Sequence, residues 1–87
     1  MDTTDLQKIL LQENIPENTY NILGGNRYIR GESGLVLWKD KEFFVVSFVE
    51  RNEFEVVMKT KDENQAATAF LKLKSECYPQ LKKYLEK

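Results

Sequence analysis

The chain contains no histidine, so it lacks the side chain best suited to moving a proton near neutral pH. A Ser-His or Cys-His nucleophile pair cannot be assembled from it. Its single cysteine, Cys77, excludes an internal disulfide and a cysteine-based zinc cluster. On a helical stripe it reads as a small buried hydrophobe. Neither sign of charge dominates: 13 basic and 14 acidic side chains are intermixed and leave a net charge of -1. No general attraction for phosphate backbones follows, and nucleic acid is not an expected partner. No apolar run is long enough to cross a bilayer, so no membrane association is expected. The opening MDTTDLQK is polar and acidic, unlike a signal peptide, which makes the cytoplasm the expected compartment. Linkers, internal repeats and low-complexity segments are missing as well.

What is present is an ordinary globular balance, with 41% apolar and 31% charged residues over 87 positions. That length predicts one soluble domain spanning residues 1–87, because a core of this size cannot be divided further. Leu6, Ile9 and Leu10 recur at helical spacing behind a Thr4/Gln7 capping-box pair, which predicts a helix over 4–13. Pro16 follows that helix, and Tyr20 to Leu23 read as a first strand broken by Gly24 and Gly25. Residues 27–30 alternate between two glycine turns, as a brief edge strand or one arm of a tight hairpin.

The central run LVLWKDKEFFVVSFVERNEFEVVMKT, residues 35–60, reads as three antiparallel strands. A two-residue loop at Asp40 and Lys41 pairs Lys39 with Glu42 and sets Trp38 opposite Phe43. Leu35, Leu37, Phe44, Val46 and Phe48 then share one face, and Val36, Trp38, Phe43, Val45 and Val49 the other. A three-residue loop, Arg51 to Glu53, places Phe54, Val56 and Met58 on the first of these faces, which both helices should cover. The second helix begins at an Asp62/Gln65 capping box, with Ala66, Ala69, Phe70, Leu73 and Cys77 as its stripe. Pro79 either kinks this helix or ends it near Tyr78 and starts a new turn, and Leu81, Tyr84 and Leu85 continue the apolar face. The expected fold is α+β: a two-layer sandwich in which an antiparallel sheet of three to five strands is flanked by an N-terminal and a C-terminal helix.

No catalytic, metal or cofactor site emerges from these residues. A pair such as Glu32 and Glu50 is one of many carboxylates on a small surface, where solvation is the ordinary fate of such groups. GGNRYIRGESG lacks the Lys-Ser/Thr ending of a P-loop and the strand-to-helix setting of a dinucleotide fingerprint. Helix, three strands, helix is also the order of double-stranded RNA-binding domains. Those place lysines at the start of the second helix, where this chain has Asp62, Glu63, Asn64 and Gln65. The aromatic face around Trp38 leaves two readings open: covered by an N-terminal segment, or offered to a partner.

Tyr20-Asn21-Ile22 followed by Gly24-Gly25, the strand Phe43 to Phe48 leading into Glu50-Arg51-Asn52, and Ala66-Ala67 in an acidic-started helix resemble a family of small bacterial immunity proteins of polymorphic toxin systems. The resemblance spans nearly the whole chain, with Asn52 where the family's turn has glycine. It implies a cytoplasmic, non-enzymatic protein that binds one cognate toxin and neutralises it. The contact set expected on that reading is Arg27, Tyr28, Arg30, Trp38, Glu50 and Arg51, since large aromatics and arginine contribute most per interface side chain. The alternative is a small non-enzymatic accessory or regulatory module, for instance phage-encoded, that acts by protein binding or by self-association through an edge strand or the aromatic face. Monomer and homodimer both remain open.

Overall fold

Helix α1, Thr3–Gln12, starts on Asp2, whose carboxylate accepts the backbone N–H of Asp5 at 2.8 Å. Asp2, rather than the expected Thr4, is therefore the cap. The Thr3 backbone N–H and hydroxyl both donate to Glu63 Oε2 at 2.8 Å, which ties the start of α1 to the first turn of α2. The computed structural model describes residues 1–24, 33–51 and 53–85. The expected strand or hairpin arm at 27–30 lies outside them.

After a short 3-10 turn at Glu17–Thr19 come β1, Tyr20–Ile22; β2, Gly34–Asp40; β3, Phe43–Glu50; and β4, Glu53–Thr60. The strands form one sheet in the order β1-β2-β3-β4. Helix α2, Glu63–Cys77, follows, then a second 3-10 segment, Pro79–Tyr84. The fold is α+β with both helices contributing to one core, as expected, but the sheet is mixed. β1 runs parallel to β2, pairing Tyr20 with Leu35 and Ile22 with Leu37. A parallel neighbour needs a crossover path instead of a tight turn. Leu23, at φ +52°, and Gly24, at φ +75°, are the two left-handed residues with which the chain leaves β1, the second at no steric cost.

Two hairpin registers differ from the expected ones. Asp40 pairs with Phe43 and Trp38 with Val45, so the β2–β3 loop is Lys41 and Glu42, with Lys41 at φ +56°. Trp38 is therefore not opposite Phe43. The displacement is by two positions, so the assignment of faces survives. Between β3 and β4, Glu50 pairs with Glu53 and Val49 with Phe54, whereas beyond a bulge Val46 pairs with Met58 and Phe44 with Thr60. Val57 is the extra residue. It moves Phe54 and Val56 to the face opposite the helices and leaves Met58 on the helix face, which corrects the expectation of a single inner stripe.

The core is formed by Leu6 and Leu10 of α1, Tyr20, Ile22, Leu35, Leu37 and Val46 of the sheet, and Ala66, Ala67, Phe70 and Leu71 of α2, closed by Leu81. Asp62 caps α2 by accepting the backbone N–H groups of Asn64 and Gln65. Pro79 occupies the first turn of the 3-10 segment, so the helix ends at Tyr78 and restarts. Cys77 is exposed, contrary to expectation. Seven residues advance a helix by about 700°, so Cys77 projects close to the direction of buried Phe70. At that end of α2 it meets a cavity instead of packed sheet.

Candidate functional site

The sheet face away from the helices carries Val36 and Trp38 from β2, Val45, Ser47 and Val49 from β3, and Phe54 and Val56 from β4, as their pairing requires. Trp38 and Phe54 stand on strands separated by β3, about 10 Å across the sheet and four residues apart along it, which puts their backbones roughly 16 Å from each other. Their ring centroids are 5.8 Å apart with an interplanar angle of 85°. Both side chains must therefore lean inward across β3. Trp38 lies level with Val45 and Phe54 with Val49, which puts Ser47 midway between them. Ser47 is fully buried and its hydroxyl has no hydrogen-bond partner among the described residues. A larger side chain at that position would compete with the two rings for the same space.

Beside this closed aromatic pair the surface is apolar and open. Phe54 is 46% exposed, Val56 56% and Val57 44%, all on β4, which is an edge of the sheet. Exposed apolar residues gathered on one edge strand are unusual where that edge has no partner. Charged groups surround them. Lys59 lies 3.7 Å from Asp40 and Lys61 3.3 Å from Glu42, and their ammonium groups sit 4.8 and 5.5 Å from the centroid of the Phe43 ring. These ion pairs are well exposed and stabilise the fold little, by at most about 1 kcal/mol each. Their value is in matching the charges of another surface.

Of the six expected contact residues, Trp38 belongs to this face, while Glu50 and Arg51 are exposed at the β3–β4 turn, Arg51 in the left-handed region at φ +50°. Arg27, Tyr28 and Arg30 lie outside the described residues, as does Asn52. Phe54, Val56 and Val57 were missed because uninterrupted alternation assigns the first two to the core. The signal was the doublet Val56-Val57, two adjacent valines in a strand that otherwise alternates.

The helix side holds a second feature at the end of the sheet near Gly34 and Glu50. Leu35 is buried there, yet its pairing partner Phe48, on the same face, is 43% exposed, so the cover of α2 ends between them. A cavity of about 460 Å³ opens at that place, lined by Leu35, Phe48, Leu73, Lys74, Cys77 and Tyr78, with Glu50 and Glu55 among the remaining wall residues. Lys74 is only 7% exposed; its ammonium donates to the Thr19 carbonyl at 2.9 Å and lies 5.9 Å from the Tyr20 ring centroid and 5.4 Å from that of Tyr78. Burial pushes the pKa of this amine down.

No group of three or more metal-ligating side chains occurs among the described residues, and none of their helices is long and apolar enough to cross a membrane. Compared with family models, curated proteins and solved structures, the chain matches none.

Proposed function

We propose that this protein is a binding module that works without catalysis, docking a partner protein on the outer sheet face between Trp38 and Val57. The observation that carries this reading is the apolar surface of β4. Phe54, Val56 and Val57 are exposed beside the edge-to-face pair of Trp38 and Phe54. A large aromatic already held by a second ring loses little side-chain freedom on binding, which favours it as an anchor. The lysines and carboxylates around the patch supply mixed charge for orientation and rapid association. In its biological setting we read the module as an immunity protein that neutralises a cognate bacterial toxin in the cytoplasm. That reading is supported by the resemblance of the Tyr20, Gly24-Gly25 and Glu50-Arg51 segments, with Trp38, Glu50 and Arg51 as contact residues beside β4.

The test is co-expression with the product of the adjacent gene, followed by calorimetry of the purified pair. Phe54→Ser combined with Val56→Ser should weaken the complex by about 2 kcal/mol or more, roughly thirtyfold. Trp38→Ala and Arg51→Ala should weaken it as well. Unchanged affinity in all three variants would exclude this face.

A second reading follows from the position of β4 at the sheet edge. An edge strand with outward apolar side chains can pair with a second copy of itself, which would make the protein a self-associating accessory module. Sedimentation velocity separates the two: a dimer abolished by the Phe54→Ser, Val56→Ser variant supports self-association, and a monomer supports a foreign partner.

A further inference from the structure

We propose that the cavity beside the C-terminal half of α2 binds a small amphiphilic monocarboxylate, with the carboxylate on Lys74 Nζ and the apolar body against Leu35, Phe48 and Leu73. The cavity, about 460 Å³, falls in the range that small ligands occupy. Its walls are mainly apolar, with one cation set among them. Lys74 Nζ can donate three hydrogen bonds and gives one to the Thr19 carbonyl, a residue that also lines the cavity. No carboxylate among the described residues forms an ion pair with it. A cation withdrawn from water with a neutral acceptor and two ring faces, those of Tyr20 and Tyr78, for company lacks, among the described residues, the partner that best compensates desolvation. A carboxylate at this position would take up the remaining donors and form charge-assisted bonds.

The surroundings narrow the ligand to one negative charge. Lys74 lies in the last turn of α2, where the backbone carbonyls present the negative end of the helix dipole. Glu50 and Glu55 add carboxylates to the wall contributed by β3 and β4. A phosphate dianion would meet both and would find no arginine fork or helix N-terminus among the described residues to hold it. A monocarboxylate can place its charge at Lys74 and present only hydrocarbon to the glutamates. This site is on the helix side of the sheet, opposite the face proposed for the protein partner.

The probe is octanoate, with uncharged octanamide as its control, titrated into the full chain and followed by calorimetry and by amide chemical shifts. Octanoate should bind about tenfold more tightly than octanamide, the equivalent of one charge-assisted hydrogen bond. The shifts should centre on Leu35, Phe48, Leu73 and Tyr78. Lys74→Met preserves the length of the side chain and should lower octanoate affinity to that of octanamide. If Lys74 serves only to fasten Thr19 to α2, wild-type protein will bind the two probes equally, and that result overturns the proposal. Failure of both to bind at millimolar concentration, or shifts centred on Val56 and Val57, overturns it too. The wild-type comparison decides the matter even if Lys74→Met does not fold. Octanoate binding should also persist in the Phe54→Ser, Val56→Ser variant, so this site and the protein-docking face succeed or fail separately.

Discussion

Trp38 and Phe54 meet edge to face across β3, 5.8 Å between centroids, although they are sixteen positions apart in the chain and on non-adjacent strands. The contact links the two outer strands of the three-stranded antiparallel part of the sheet. A double-mutant cycle with Trp38→Leu and Phe54→Leu in urea denaturation should give a coupling energy of about 0.5–1.5 kcal/mol. A cycle closing at zero would mean that the rings touch without mutual stabilisation. Indole fluorescence should shift to the red in Phe54→Leu as the ring gains water.

Phe70 is fully buried in the core against the helix face of the sheet. Phe70→Ala should lower stability by about 3–5 kcal/mol, the cost of lost burial plus the hole left behind. For a domain of this length the total is on the order of 4–13 kcal/mol, so this variant should be close to unfolding at 37 °C. Thermal denaturation by circular dichroism measures it.

Much of this was legible in the sequence. The faces of β2 and β3 follow from side-chain periodicity, which is local, and the break at Pro79 was one of the two outcomes that proline allows. The stripe of α2 was legible only in part, since Ala66 and Phe70 are buried as expected, but Ala67 and Leu71 join them in place of half-buried Ala69 and Leu73 and exposed Cys77. Registers were less accessible. A hairpin loop of two residues can be drawn at Asp40-Lys41 or at Lys41-Glu42 without changing a single face, and only the completed pairing selects between them. The bulge at Val57 adds one residue to one strand; the Val56-Val57 doublet is its trace in the sequence, and only the completed pairing separates it from an extra turn residue at Glu53. The parallel direction of β1 depends on the path between β1 and β2, which no turn motif encodes. Lys74 reads as surface because lysine is rarely buried; its position became apparent only when Thr19 and the two tyrosines were found around it.

Asp62 holds the first turn of α2 by accepting two backbone N–H groups. Asp62→Ala should destabilise the protein by about 1 kcal/mol, and Asp62→Asn or Asp62→Ser by much less, because each retains an acceptor oxygen. Chemical denaturation of the three variants tests the order. Equal losses in all three would point to charge instead of capping.

Glu13, at the end of α1, accepts the Tyr84 hydroxyl at 2.6 Å and pairs with Lys83 at 3.0 Å. The tyrosine hydrogen bond first, and the lysine second, hold the Glu13 carboxyl below the usual carboxylate range. A depressed carboxyl pKa stabilises the fold above its unfolded value, and that contribution is lost as pH falls through the folded value. The same bond raises the Tyr84 hydroxyl above its ordinary value of 10.0, so its contribution is complete below pH 10 and is lost above it. Glu13→Gln should therefore flatten the acid limb of the stability profile between about pH 5 and 2, where the wild type declines. Identical acid limbs would show that the pairing persists in the unfolded chain or contributes nothing.

The extra residue at Val57 acts on β4 as a change of reading frame acts on a message. Alternation continues on both sides of it with the parity reversed: the even-numbered Phe54 and Val56 face outward before it, and the odd-numbered Lys59 after it. Substitutions along the strand can therefore alter the two surfaces independently, and loss of Val57 itself would keep Val56 opposite Ser47 and Met58 opposite Val46, leaving Phe54 and Val56 outward and Glu55 inward. The outer face of this protein is thus expected to survive loss of the bulge residue as well as replacement along the strand.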